Sequence, residues 1–291
     1  MFNADRAIEN KKDDLLGRAP FSAQLGRDIY EYNGEDSLVI AIYGKWGTGK
    51  TSIANMVLEE IESLSESNKN ETIVIKFEPW NYSDQDNLIH HFFNLLENAI
   101  SSGNVATLMK NVRKILKKYS KYFELIPYEN PWNKFFCTSM INLLRGNLDL
   151  YSCKNKLKDA LLEANKKIVV LIDDIDRLTN SQIRNIIQIV KQIGDLPKIT
   201  YILAMDREVV AHALEDDCCN NGNEYLEKIV QIPFQIPPLS QVKLHEIFHN
   251  KLGSSIRSVS KNIAIRDNYY WCTVLDNCIF PYLYTIYYKR Y

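Results

Sequence analysis

LVIAIYGKWGTGKTS, residues 38–52, decides the fold. A short apolar run enters a glycine-rich turn, meets Lys50-Thr51 and leaves with helix-like spacing. Gly44, Gly49, Lys50 and Thr51 have the Walker A spacing, and Gly47 adds backbone freedom inside the loop. Glycines let successive backbone N–H groups converge on phosphate oxygens, where a side chain would clash. A helix starting near Lys50 turns the positive end of its dipole to the same anion. The expected cradle therefore comprises Gly44, Gly47, Thr48, Gly49, Lys50, Thr51 and Ser52. Lys50 would neutralise β/γ charge, and the Thr51 hydroxyl would ligate Mg²⁺. A chance glycine turn would not account for a strand on one side and a helix on the other.

Working outward, apolar runs at 38–43, 72–77, 168–172 and 199–205 predict buried parallel strands, and 229–236 a fifth that carries a proline. Continuous apolar character is what a sheet covered on both faces requires. Helical patterns at 51–64, 87–100, 181–193 and 207–214 alternate with them. The expected fold class is α/β: a three-layer, doubly wound, mainly parallel sheet of the P-loop NTPase kind. Residues 101–167 show helical periodicity without a convincing strand and predict an α-helical insertion. Polar stretches at 65–71 and 216–223 predict loops. The expected domains are a core over 1–239, with the insertion at about 101–167, and a helical segment over 240–291.

The stretch IVVLIDDIDRL supplies the carboxylate that a P-loop needs at a neighbouring strand end. Asp173 is the Mg²⁺ candidate, and Asp174 is placed to polarise the attacking water. Asp176-Arg177 follows at the strand's mouth. NKKD, residues 10–13, matches a guanine-reading pattern, but no Asp-x-x-Gly follows Thr51 and no apolar strand precedes it. It predicts a solvated charge run, with adenine as the base. An extra strand between the Walker A and Walker B strands is expected of additional-strand ATPases, and no Arg-rich kinase lid is present.

Composition sets the outer bounds. The chain has 291 residues, 46% of them hydrophobic and 24% charged, with a net charge of −1. That balance argues against a globally basic nucleic-acid binder. The six cysteines have no metal-ligand spacing and predict reduced thiols. The polar N-terminus and the lack of an 18-residue apolar run predict a cytoplasmic protein with no transmembrane segment.

With these residues in place, the chain resembles the KAP family of P-loop NTPases. IAIYGKWGTGKTS carries Trp46 inside the Walker A loop, and IKFEPWNYS is similar to the family's Phe-x-Pro-Trp box. VVLIDDIDRL, YILAMDREVV and EYLEKIVQIPFQIPPL follow in the family's order, so the resemblance spans about residues 15–239. It implies an ATP-binding, Mg²⁺-dependent ATPase acting in signalling or in defence against phage. The resemblance also implies a γ-phosphate sensor at Asp206 and an adenine-lining segment in LLGRAP, residues 15–20. Three departures stand out: the insertion is polar, where many members carry membrane helices; Glu78 stands where Asn is commoner; and the chain ends about where a further Arg-containing helical box is expected, leaving only Lys289-Arg290. The rival readings are a nucleotide-gated switch or scaffold with negligible turnover, and a nucleic-acid-stimulated ATPase. A protein partner or a second copy of the chain is expected.

Two further motifs have a sharp and a bland reading. HEIFH, residues 245–249, is a literal zinc-protease motif, but the expectation is an amphipathic helix. The basic stripe from Lys110 to Lys121 is where nucleic acid would bind, although a solvated helix face is the expectation. Trp80 and Tyr82 are expected to pack under the sheet edge. Arg177 and Arg207 are finger candidates in an assembly or surface ion pairs.

Overall fold

The computed structural model describes residues 6–68, 72–82, 88–101, 109–124, 148–215 and 221–238, with 243, 246 and 247. Five strands form one sheet: β1 Leu38–Tyr43, β2 Ile73–Phe77, β3 Ile168–Ile172, β4 Ile199–Met205 and β5 Ile232–Gln235. Their order is β2-β3-β4-β1-β5, and every pairing is parallel. The strand inserted between the Walker A strand β1 and the Walker B strand β3 is β4.

The pleat sorts the apolar residues onto two faces. Ile40, Ile42, Val169, Leu171, Ile202 and Ala204 face one core, shared with helices α1 Ala19–Glu31 and α2 Lys50–Ser67. Val39, Ala41, Val170, Ile172, Tyr201 and Leu203 face the other. That second core also takes residues of α3 Leu88–Ser101, α4 Lys110–Glu124, α5 Leu148–Ala164, α6 Asn180–Ile193 and α7 Arg207–Leu214. Burial on both faces explains the unbroken apolar runs of β3 and β4. The architecture is the three-layer α/β P-loop fold.

Several elements differ from expectation for identifiable reasons. β5 is shorter than 229–236 and pairs only with β1, so Pro233 sits on an edge strand, where its missing N–H is tolerated. Helix α2 runs on to Ser67, past the expected loop start at 65, and the Ser65 hydroxyl accepts from the Thr72 N–H at 2.9 Å. Helix α8, Gly222–Glu227, begins inside the stretch expected to be a loop, because the Asn221 side chain caps it by accepting from Asn223 and Glu224. Helix α1 was not anticipated, since its buried stripe holds only Ser22, Leu25, Gly26 and Ile29. Its C-terminal carbonyls are capped from outside: the Lys167 ammonium donates to Ile29, to Tyr30 at 2.9 Å and to Tyr32 at 2.6 Å.

The chain divides into two compact units, one of residues 1–13 and 19–236 and one of 14–18 and 237–291. All the strands and helices above lie in the first. In the second, the Arg18 guanidinium donates to the Pro237 carbonyl at 3.2 Å, and Lys243 pairs with Glu246 at 3.0 Å. His245 and His249 of the zinc-like motif lie outside the described residues.

Candidate nucleotide-binding site

Because all strands are parallel, their carboxyl ends open on one edge of the sheet. Register sets Tyr43 beside Met205, Leu203 beside Ile172, and Ile172 beside Phe77. Gly44, Asp206, Asp173 and Glu78 each follow directly on one of these strands. Ligands of open α/β sheets bind at such an edge.

The loop after β1 has the geometry that its glycines permit. Gly47 and Gly49 adopt positive φ of 79° and 88°, a region L side chains rarely enter. A Cβ at Gly44 would lie 2.5 Å from the Thr48 hydroxyl and 2.8 Å from Ile236 Cδ1. The loop closes on the Lys45 carbonyl, which accepts from the Thr48 N–H at 3.2 Å and the Thr48 hydroxyl at 2.7 Å. Helix α2 then starts at Lys50, next to Thr51 and Ser52. The Ser52 hydroxyl accepts from the Ile8 N–H at 3.3 Å, and Asn55 donates to the Ile8 carbonyl at 2.9 Å. Ser52 thus ties down the N-terminal segment. Nearby, Lys11 pairs with Glu60 and its N–H donates to Glu59 at 2.6 Å. The NKKD run is therefore docked on α2 by one of its lysines.

At the end of β3, the Asp173 N–H donates to the Phe77 carbonyl at 3.1 Å and extends the ladder by one residue. The Asp173 carboxylate, 1% exposed, accepts hydrogen bonds from the Thr51 hydroxyl and from the Asp174 N–H at 2.8 Å. The two residues expected to hold Mg²⁺ are in contact. Burial pushes the Asp173 carboxyl up to about 6; the two hydrogen bonds pull the other way, and the charges of Asp174 and Glu78 add to the rise. Asp174 turns the chain with φ 56° into a 3₁₀ turn over Ile175–Arg177. Its carboxyl is raised by burial and lowered by Arg177, whose Nε lies 2.9 Å from Asp174 Oδ1.

That turn returns Asp176 to the cradle. Lys50 Nζ lies 3.1 Å from Asp176 Oδ2 and 3.4 Å from the Lys45 carbonyl, with the Lys50 and Asp176 side chains only 7% and 4% exposed. Asp176 Oδ1 has no hydrogen-bond partner. The sequence assigns Asp176 no role at the strand's mouth, and the spacing of Asp173, Asp174 and Asp176 is the signal that could have found it. Glu78 was noticed only as a departure from Asn, yet its charge acts on both Asp173 and Asp174.

Other expected residues sit further from the cradle's chemistry. Asp206 follows β4, beside β1, and its carboxylate caps α7 by accepting from the Glu208 N–H at 3.0 Å. Arg207 is held by Asn223 and Glu227, each at 2.9 Å, and Arg177 by Asp174, so both arginines form internal contacts. Trp46 is 71% exposed on the loop. Tyr82 stacks on His91 with centroids 4.4 Å apart and packs against Phe77, as the packing reading expects, whereas Trp80 stays exposed. The apolar stripe of α4 (Val112, Leu116 and Tyr119) is buried, which leaves Lys110, Lys114, Lys117, Lys118 and Lys121 on an exposed face. No helix among the described residues is long and apolar enough to cross a membrane.

The donor set suits Mg²⁺ with a triphosphate. Hydroxyl and carboxylate oxygens are hard ligands, and at Gly44 a side chain would fill the cradle.

Against known proteins, the profile of the KAP family P-loop domain matches residues 18–279. The phage T7 exclusion protein of Escherichia coli K12 is 24% identical over 306 aligned positions, covering 91% of this chain and 40% of its own length. The chain thus spans about two fifths of that relative. Among solved structures, the Aeropyrum pernix ORC2 protein with ADPNP and ADP is similar at a TM-score of 0.47 and 11% identity, over 86% of this chain and 55% of that one. A Walker-type ATPase of Pyrococcus abyssi is similar at 0.43 and 14% identity, over 88% and 62%.

Proposed function

The chain belongs to the KAP family of P-loop domains, and on that premise we propose that it binds ATP with Mg²⁺ and hydrolyses it. The observation that carries this reading is the hydrogen bond of the half-buried Thr51 hydroxyl to the buried Asp173 carboxylate, the two groups that an Mg²⁺ site on a P-loop requires. In this proposal the amides of 44–51 cradle the phosphates, and Lys50 neutralises their β/γ charge. Asp174 orients and polarises the attacking water once its carboxylate is released from Arg177. Asp206 is the γ-phosphate sensor only if its carboxylate leaves the N-terminus of α7. Bound Mg²⁺ would supply neutralisation of the charge developing on the phosphate oxygens.

The test is direct. Lys50→Ala should lose ATP binding, while Asp174→Asn should keep binding and lose turnover by about a hundredfold or more. If both variants hydrolyse ATP like the parent, the assignment of the site is wrong. A second reading, a switch that binds ATP with negligible turnover, is favoured by Lys50 lodged on Asp176 and Asp174 held by Arg177. Turnover measured together with ATP-dependent oligomer mass separates the two. The name of the Escherichia coli relative extends the proposal to phage exclusion. Expression of the chain should then lower plating of a T7-type phage, and Lys50→Ala should abolish that effect.

A further inference from the structure

The Lys50–Asp176 pair is buried, its side chains 7% and 4% exposed, and it joins positions 126 apart in the chain. A buried pair is costly to break, because the partner left behind is a desolvated charge. Lys50 is also the residue that a P-loop presents to the β- and γ-phosphates. One ammonium is therefore claimed by two anions, an internal carboxylate and the incoming ligand.

The surroundings sharpen the competition. Once Lys50 leaves, Asp176 has no partner on Oδ2, and Oδ1 already has none. Its neighbours are unfavourable: Asp174 feels the charges of both Asp176 and Glu78. Arg177, the next residue, is engaged by Asp174 at 2.9 Å. A free triphosphate would add four negative charges to this edge, whereas a nucleotide carrying Mg²⁺ adds fewer and brings a cation to the carboxylates.

Resting on the ATP reading above, we propose that Asp176 is the internal counter-ion of Lys50. It holds the empty cradle closed against phosphate and makes nucleotide binding depend on Mg²⁺ arriving with the ligand. The competing role for the same contact is positioning, in which Asp176 orients Lys50 toward phosphate; the two roles predict opposite signs.

The full-length chain and its Asp176→Asn variant are titrated with a fluorescent ATP analogue, with Mg²⁺ and with EDTA. Asp176→Asn should bind more tightly, by about tenfold or more, with the larger gain in EDTA. Without nucleotide the variant should melt at a lower temperature than the parent and recover more on adding ATP. Unchanged or weaker binding by the variant overturns the proposal, and weaker binding is what a positioning role produces. If Asp176→Asn is unfolded in buffer, millimolar Mg·ATP should restore its fold by supplying the missing counter-charge, and failure to do so overturns the proposal. Lys50→Ala separates the two levels. If the parent binds ATP, Lys50→Ala does not, and Asp176→Asn shows no gain, the counter-ion role fails alone. If the parent binds no ATP, the ATP reading fails and takes this one with it.

Discussion

Asp173 offers the sharpest test of the site's electrostatics. Its carboxyl is raised from 3.8 to about 6, chiefly by burial. Each pKa unit is worth about 1.4 kcal/mol, so the ionised group destabilises the nucleotide-free fold by roughly 3 kcal/mol at neutral pH. The direction follows from proton uptake. Between about pH 4 and 6 the folded state holds a proton that the unfolded state has released, so stability falls as pH rises through that window and is level above it. Asp173→Asn replaces the carboxyl with a neutral isostere that can still accept from Thr51 and from the Asp174 N–H. Denaturant unfolding of parent and variant without nucleotide, from pH 4 to 7.5, measures the difference. The variant should be more stable by roughly 3 kcal/mol at pH 7, with the gap closing near pH 4. Adding Mg·ATP should stabilise the parent and leave the variant nearly unmoved. A gap that does not vary with pH, or a less stable variant at pH 7, would refute the reasoning.

Three further outcomes follow from packing and charge. Lys167→Met keeps the apolar stem but leaves three carbonyls at the end of α1 without their donor, and should cost about 1–3 kcal/mol in chemical unfolding. Gly26→Ala should destabilise by about 1–3 kcal/mol, because its Cβ would sit 2.7 Å from Glu60 Cβ and 2.9 Å from the Val57 carbonyl on α2. Neutralising Lys110, Lys114, Lys117 and Lys118 on exposed α4 should leave the melting temperature and the ATP turnover without nucleic acid unchanged, since only the opposite face is packed. If DNA or RNA raises the parent's turnover and this variant loses that effect, the face is an interface rather than a solvated surface.

The chain's own residues determined the elements that are local and chemically extreme. β1, β3 and β4 were legible to the residue because strands covered on both faces must be continuously apolar. The glycine turn after β1 was legible because positive φ at Gly47 and Gly49 demands glycine. Helix α1 was less visible. Its packing on α2 depends on a small residue at Gly26, and its C-terminal cap comes from Lys167, far along the chain. Tertiary structure alone decided which ionisable groups meet. Parallel pairing set Glu78 beside Asp173, the 3₁₀ turn after Asp174 returned Asp176 to Lys50, and Ser52 was committed to Ile8. Asp206 was committed to the N-terminus of α7. A motif specifies which side chains are present at the cradle. Their partners across the fold set whether each is free for phosphate, because a buried charge takes whichever counter-charge the packing brings within reach.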